Sequence, residues 1–374
     1  MPIPIAGLEK LAGDMLSVYA QAEEKMISIM AKQLGKDTDY SRWTSIKYSE
    51  IVQVNRQLTK VVNDLKSTRT TLTKSAIEEA WSSATESFVA DEKAFTKAID
   101  IYPLSVNSPK VASILNEVNG LLDKEDRIIL RQANDVYTDV ISRSAALVAT
   151  GTYTLRQAVQ SALDDFAEKG ITGFIDKNGG HWDMATYAEM ATLTAIQRAT
   201  LYGYVDTMKE YGHDLAIISS HAGACPLCEA WEDVIISVSG DNKDYPSLDD
   251  AISDGCFHPR CVHYISTYYD GVTKGGRNAP SEVKEPNKEY TGNQKQRYYE
   301  RQIRSWKRRQ AASTSPQAER LAYAHVRRFQ QAARDNIKNF DSKYGELSRK
   351  YYREGGRQVL SPEARRLRPV VLNR

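Results

Sequence analysis

From Leu8 onward, apolar side chains return every three or four residues: Leu8, Leu11, Met15, Tyr19, Met26 and Ile29 form one run, and Ile51, Val54, Leu58, Val61 and Leu65 a second. That spacing places each set on one face of a helix and predicts a packed amphipathic bundle. The polar stretch Gly35-Lys36-Asp37-Thr38-Asp39-Tyr40 suits a connection between helices. The same periodicity predicts further helices over about 74–99, 108–121, 124–149 and 155–168. Thr154 with Gln157 three residues on is a capping-box pair that opens the last of these. Asp183 caps a helix over about 184–211, which carries Tyr187, Met190, Leu193 and Ile196 on one face and stops at Gly212.

Beyond Gly212 the pattern changes. Residues 215–218, 234–238 and 262–267 are short, rich in β-branched side chains and bounded by turn residues, which predicts three strands of a small sheet. Ser247 opens a short helix reaching Ile252. Residues 271–280, rich in Gly, Asn and Pro, read as a linker, followed by Arg- and Gln-rich helices over 288–311, 316–338 and 341–354 and a basic, extended segment over 361–374. The expected fold is mainly α with a small central α+β module. It divides into an N-terminal helical bundle over 1–122, a module with the small sheet over 123–271 and a basic helical C-terminal region over 272–374.

Composition sharpens this in two ways. A chain of 374 residues with 41% hydrophobic side chains has enough apolar material for more than one core. No run of about 18 apolar residues occurs, and the start of the chain lacks the charged and apolar regions of a secretion signal, so synthesis in a cytosol without membrane insertion is expected. The net charge of +2 hides an asymmetry: residues 274–374 hold 25 Lys and Arg against 10 Asp and Glu, a net +15, leaving 25 against 38, a net −13, elsewhere. Such a basic region suits nucleic acid, an acidic partner, or the acidic part of its own chain or of another copy. Lys295, Arg297, Arg301, Arg304, Lys307, Arg308 and Arg309 interleave with Tyr298, Tyr299 and Trp306, a mixture able to hold phosphates and stack bases. A solvated or protein-docked face is the simpler reading of the same residues.

The candidate chemistry lies between these regions. All four cysteines fall at Cys225-Pro226-Leu227-Cys228 and Cys256-Phe257-His258-Pro259-Arg260-Cys261, with His263 just beyond. Two ligand pairs on tight turns, joined by a loop, are what a tetrahedral zinc site needs. The expected ligands are Cys225, Cys228, His258 and Cys261, with Cys256 as the substitute for His258. Four protein ligands leave the ion no open position, so the zinc is expected to be structural rather than catalytic. A metal-free thiol cluster and disulfides are the alternatives. A zinc deaminase is excluded, because Ala222 and Gly223 follow His221 and Pro226 follows Cys225. His-Glu-x-x-His and the phosphate-binding Gly-Lys-Ser/Thr loop are absent. A metal-dependent nuclease built on His221, His258, His263 and Asp254 is the rival enzyme reading, although their spacing assembles no base and metal pair.

Several ordered elements resemble the minor capsid, or head morphogenesis, proteins of tailed bacteriophages related to the Mu F protein. They run from Gly170-Ile171-Thr172-Gly173-Phe174-Ile175-Asp176 and Trp182 through Tyr187-Ala188-Glu189-Met190 to Tyr211-Gly212-His213-Asp214-Leu215. Ser220-His221, the Cys225/Cys228 pair, Trp231, Ser239-Gly240, Tyr245-Pro246 and His258-Pro259-x-Cys261-x-His263 follow, then Gln294-Lys295-Gln296-Arg297 leading into Glu300-Arg301-x-Ile303-Arg304. The resemblance covers about 125–310. Arg260, Val262 and Cys256 depart from the family's motif. The resemblance implies a non-enzymatic virion component, made in the host bacterial cytoplasm and present in few copies. It also implies association with the portal protein and major capsid protein at the inner face of the head, and contact with DNA during packaging or ejection. A zinc-stapled DNA-binding or nuclease protein is the alternative.

Overall fold

The computed structural model describes residues 5–36, 40–97, 100–175 and 181–344. Five helices precede the first strand: α1 (Ile5–Leu34), α2 (Tyr40–Ser49), α3 (Ile51–Thr96), α4 (Pro109–Ala149) and α5 (Leu155–Lys169). A hairpin of β1 (Thr172–Ile175) and β2 (His181–Asp183) leads into α6 (Met184–Glu210). Next come β3 (Leu215–Ile218), α7 (Pro226–Glu229), β4 (Ile235–Ser237), α8 (Leu248–Ser253) and β5 (Ile265–Thr267), and two basic helices follow, α9 (Lys288–Ala311) and α10 (Pro316–Tyr344). The expected mainly helical architecture with a small sheet is present. Among the described residues no helix is long and apolar enough to cross a membrane. The segment 361–374 and most of the helix expected over 341–354 lie outside the described residues.

Two expected breaks do not exist. α3 runs unbroken for 46 residues and α4 for 41, so the helices anticipated at 51–65 and 74–99 are one, as are those at 108–121 and 124–149. The polar run from Lys66 to Thr71 contains neither Gly nor Pro, and Thr68, Thr70 and Thr71 return their hydroxyls to carbonyls four residues back, so the helix continues. Its inward side chain there is Arg69, fully buried, which donates to Asp126 Oδ2 at 2.9 Å and to Asp123 and Asn119. Tyr19 of α1 also donates to Asp126, at 3.0 Å. One buried ionic layer thus replaces apolar residues in both helices, which interrupts the hydrophobic period without interrupting the backbone. The anticipated boundary between 122 and 123 falls inside α4. α2, which the apolar periodicity did not predict, is held by Trp43, whose Nε1 donates to Leu34 O at 3.2 Å at the end of α1.

α6 is the central helix. It buries residues on every side, and its small residues Ala185, Ala188, Ala191, Ala195, Ala199 and Gly203 allow close approach of its neighbours. A Cβ at Gly203 would stand 3.3 Å from Trp81 of α3. The first half of α6 belongs to the core shared by α1, α3, α4 and α5. Its second half (Leu201, Tyr204, Val205, Met208) joins a second core with Phe88 at the end of α3 and with the three-stranded sheet. That sheet is antiparallel with order β4-β3-β5, and Ala216 is paired with Ile236 on one side and Thr267 on the other.

The segment read as a linker is bound to the sheet's edge. Ile235 N–H donates to Arg277 O and Arg277 N–H to Asp233 O, both at 2.8 Å, and Ser281 N–H reaches Ala230 O. Gly276 takes φ +110°, and a Cβ there would lie 2.8 Å from Ile235 Cδ1. The basic helices are likewise docked. Arg308 donates from Nε to Ala167 O at 2.9 Å and from Nη2 to Glu168 O at 3.0 Å, so its charge serves the C-terminal carbonyls of α5. Its Nη1 also stands 3.5 Å from Glu23 of α1. Gly170, the C-cap of α5, has φ +75°, and a Cβ there would sit 2.7 Å from Glu23 Oε1 and 3.0 Å from Arg308 Cζ. We expect Gly170→Ala to cost about 3 kcal/mol in urea unfolding and to loosen α9, because the side chain is strained by its own backbone and displaces the ion pair. A change under about 0.5 kcal/mol would show that the contact is not tight in solution.

Candidate metal centre

Two backbone turns deliver the cysteines. Cys225 is the N-cap of α7 with extended backbone, and Pro226 occupies the first helical position, where its missing N–H costs nothing. Cys228 follows one turn later, which brings its sulfur to the same side as that of Cys225. The second turn is entered from α8, whose Ser247 and Asp250 form a reciprocal capping box. Cys256 N–H then donates to Ala251 O, and Cys261 N–H to His258 O, each at 2.9 Å. Phe257 (φ 56°) and Arg260 (φ 72°) are left-handed without being glycine, so this turn is held by its surroundings. Part of that hold is Arg260, whose guanidinium meets the buried carboxylate of Glu189 on α6 at 2.6 Å.

All four expected ligands meet around Cys228, a separation of 33 residues being closed in both Cys225–His258 and Cys228–Cys261. Cys225 Sγ stands 3.0 Å from His258 Nε2, and Cys228 Sγ stands 3.6 Å from Cys261 Sγ. Two thiolates on one tetrahedral zinc are separated by about 3.8 Å, given Zn–S bonds of about 2.3 Å. His258 Nδ1 lies 2.8 Å from Pro259 O, a contact that places the ring proton on Nδ1 and leaves the Nε2 lone pair facing the sulfurs. Donors around Cys228, led by Cys225 and then Cys256, Cys261 and His258, hold its thiol far below the ordinary range. The donors are of the type zinc takes, and they fall into two sets that share Cys228: Cys225, Cys228 and His258 lie within 4.8 Å of one another, as do Cys228, Cys261 and His263. The cysteines are free thiols rather than disulfides.

The cluster contains more than the four. Cys256 is buried and lies against Cys228, and His263 is buried with Nδ1 3.4 Å from Cys261 Sγ. On its other side His263 Nε2 meets Glu232 Oε1 at 3.1 Å, and Glu232 also accepts the backbone N–H of His221 at 2.7 Å. Burial opposes charge on His263, but Cys228 and Glu232 outweigh it and hold the group up at about 9. Burial, then repulsion from His263, pushes His221 down to about 4. Glu232 carried no signal in the sequence, being one acidic residue in a turn 31 positions from His263. Asp254, grouped with the histidines in the nuclease reading, instead ends α8. Asn287, the N-cap of α9, ties the basic helices to this centre by donating to Ala224 O at 2.9 Å and to Glu229 at 3.1 Å.

Of the basic residues interleaved with aromatics, Arg304 and Arg308 are buried, Arg309 lies 4.5 Å over Trp306 and pairs with Glu168, and Trp306 stacks on His325 at 3.7 Å. Lys295 and Arg301 remain exposed on α9, as do Arg320, Arg327, Arg328 and Lys338 on α10.

The chain matches the family described as phage minor capsid protein 2 over residues 6–338. It belongs to that family. A curated relative, the "Structural protein" of Lactococcus phage LL-H, is 34% identical over 191 residues, which is 48% of this chain and 50% of the relative. The chain thus covers about half the length of that relative. No solved structure matches it. The family match begins in α1 and ends within α10, so it takes in the helical bundle, the cysteine turns and the basic hairpin together. This agrees with the resemblance to phage minor capsid proteins read from the sequence.

Proposed function

We propose that this member of the minor capsid family is a non-enzymatic structural component of a tailed-phage head, made in the host bacterial cytoplasm and carried in the virion. In this reading it joins the portal protein and major capsid protein at the inner face of the head. Zinc held by Cys225, Cys228, His258 and Cys261 staples the central module. The exposed face of α9 and α10, with Lys295, Arg301, Arg320, Arg327, Arg328 and Lys338, meets packaged DNA. The observation that carries the reading is the family match across nearly the whole chain, supported by a phage structural protein as relative. The soft donor set supports zinc over magnesium or calcium, which take oxygen ligands.

The test is a phage in which this gene is interrupted, beside one that carries an affinity-tagged copy. The tagged protein is expected in purified heads and in complexes with the portal protein, and the interrupted phage is expected to yield defective heads or particles of low infectivity. Normal particles and plating, with no tagged protein in the heads, would overturn the assembly role.

A further inference from the structure

The staple leaves His221, Glu232 and His263 outside its four ligands, yet a ring nitrogen from each histidine and a carboxylate oxygen lie within 4.8 Å of one another. The two imidazoles are 4.3 Å apart between ring centres. His221 Nε2 is buried and has no hydrogen-bond partner among the described residues. An orphaned buried nitrogen of this kind is costly unless something absent from the polypeptide satisfies it.

His263 makes the case stronger. Its Nδ1 lies 3.4 Å from Cys261 Sγ, on the side of the staple. Its Nε2 faces a carboxylate oxygen of Glu232 at 3.1 Å, on the side of His221. A proton would satisfy His263 and Glu232 but leave His221 Nε2 unpartnered, whereas a metal ion satisfies all three. Glu232 Oε1 is also fixed by the His221 backbone N–H at 2.7 Å, which holds the carboxylate in place without occupying its other oxygen.

We propose that His221, Glu232 and His263 form a second cation site beside the staple, which takes a divalent transition ion such as zinc or cobalt. Two imidazoles and one carboxylate are the donors such ions accept, and three protein ligands leave a position open to water, unlike the closed staple. His263 then links the two centres through its ring, with Nδ1 donating to the Cys261 thiolate and Nε2 binding the second ion. The inference rests on the thiolate reading of the staple, through Cys261.

Full-length protein stripped of metal and titrated with Co(II) tests it, with bound cobalt measured by equilibrium dialysis and thiolate-to-cobalt charge transfer by absorbance. Charge transfer is expected to saturate at one equivalent while dialysis finds two, and elemental analysis of the zinc-loaded protein should give the same two. His221→Ala and Glu232→Gln should each lower the total from two to one and keep the full charge-transfer band. One equivalent in the unaltered protein with full charge transfer would overturn the second site and spare the staple, even if the variants failed to fold. Two equivalents that persist in both folded variants would overturn it as well. Absent charge transfer would sink the staple and this inference together.

Discussion

Replacing Cys228 with serine is expected to release the staple's zinc and unfold the segment between β3 and α9, while the helical bundle stays folded. Cys228 is the sulfur around which Cys225, Cys256, Cys261 and His258 converge, so no neighbour can take its place at the centre of the tetrahedron. Structural zinc contributes about 10–16 kcal/mol in small peptide domains, where metal and folding are one event. Here the loss should be smaller, since the same residues also pack on Phe88, Tyr204 and Met208. It should still exceed the stability of a three-stranded sheet whose strands have three or four residues each. None of the cysteines belongs to the bundle core that α1, α3, α4 and α5 share with the first half of α6, which is why the helices should survive. Metal analysis, far-UV dichroism and limited proteolysis together check this: little lost helix, no thiolate-bound zinc, and new cleavage near the cysteine turns. Cys256→Ser should keep the ion and His258→Ala lose it, the reverse result making Cys256 the fourth ligand. Unchanged melting of Cys228→Ser beside a metal-free parent would remove the staple from the account.

Arg69→Ala is expected to cost about 3–5 kcal/mol, the range for breaking a buried ion pair from one side. The guanidinium is fully buried and serves Asp126, Asp123 and Asn119, so its removal strands Asp126, itself only 4% exposed, against the hydroxyl of Tyr19. Burial already pushes the Asp126 carboxyl up, with Arg69 pulling against it. Without Arg69 the folded-state value rises further above that of the unfolded chain. Folding then favours the protonated acid, and stability is lost as pH rises through that range. The variant should therefore be penalised less near pH 4 than near pH 8. Replacing both partners with apolar residues, Arg69→Met with Asp126→Leu, should recover most of the loss. Urea unfolding at the two pH values decides it, and a pH-independent cost below about 1 kcal/mol would mean that water reaches this layer.

The ionic layer also explains where the sequence was misleading. Periodicity found every long helix but divided two of them, because Arg69, Glu125 and Asp126 occupy inward positions where the pattern requires apolar residues. The basic helices were placed correctly, with α9 matching 288–311, but the sequence left open whether their charge is solvated, docked on protein or set against nucleic acid. Arg304 and Arg308 face inward, and Arg308 neutralises the carbonyl end of α5. The hairpin β1–β2 went unread because its strands, Thr-Gly-Phe-Ile and His-Trp-Asp, lack the run of β-branched residues that marked the other three.

What the sequence determined by itself is local: helical periods, the capping pairs Thr154/Gln157 and Ser247/Asp250, the Cys225-Pro226 entry to α7, and two turns each rich in soft donors. These depend on residues within a few positions of one another, where the backbone's own geometry sets the distances. The tertiary structure alone decided that Arg260 meets Glu189, that Arg277 closes the sheet's edge, and that Glu232 stands between His221 and His263. Those partners lie 71, 44, 11 and 31 residues apart along the chain, and only the packing of separate elements into one core brings such groups within bonding distance.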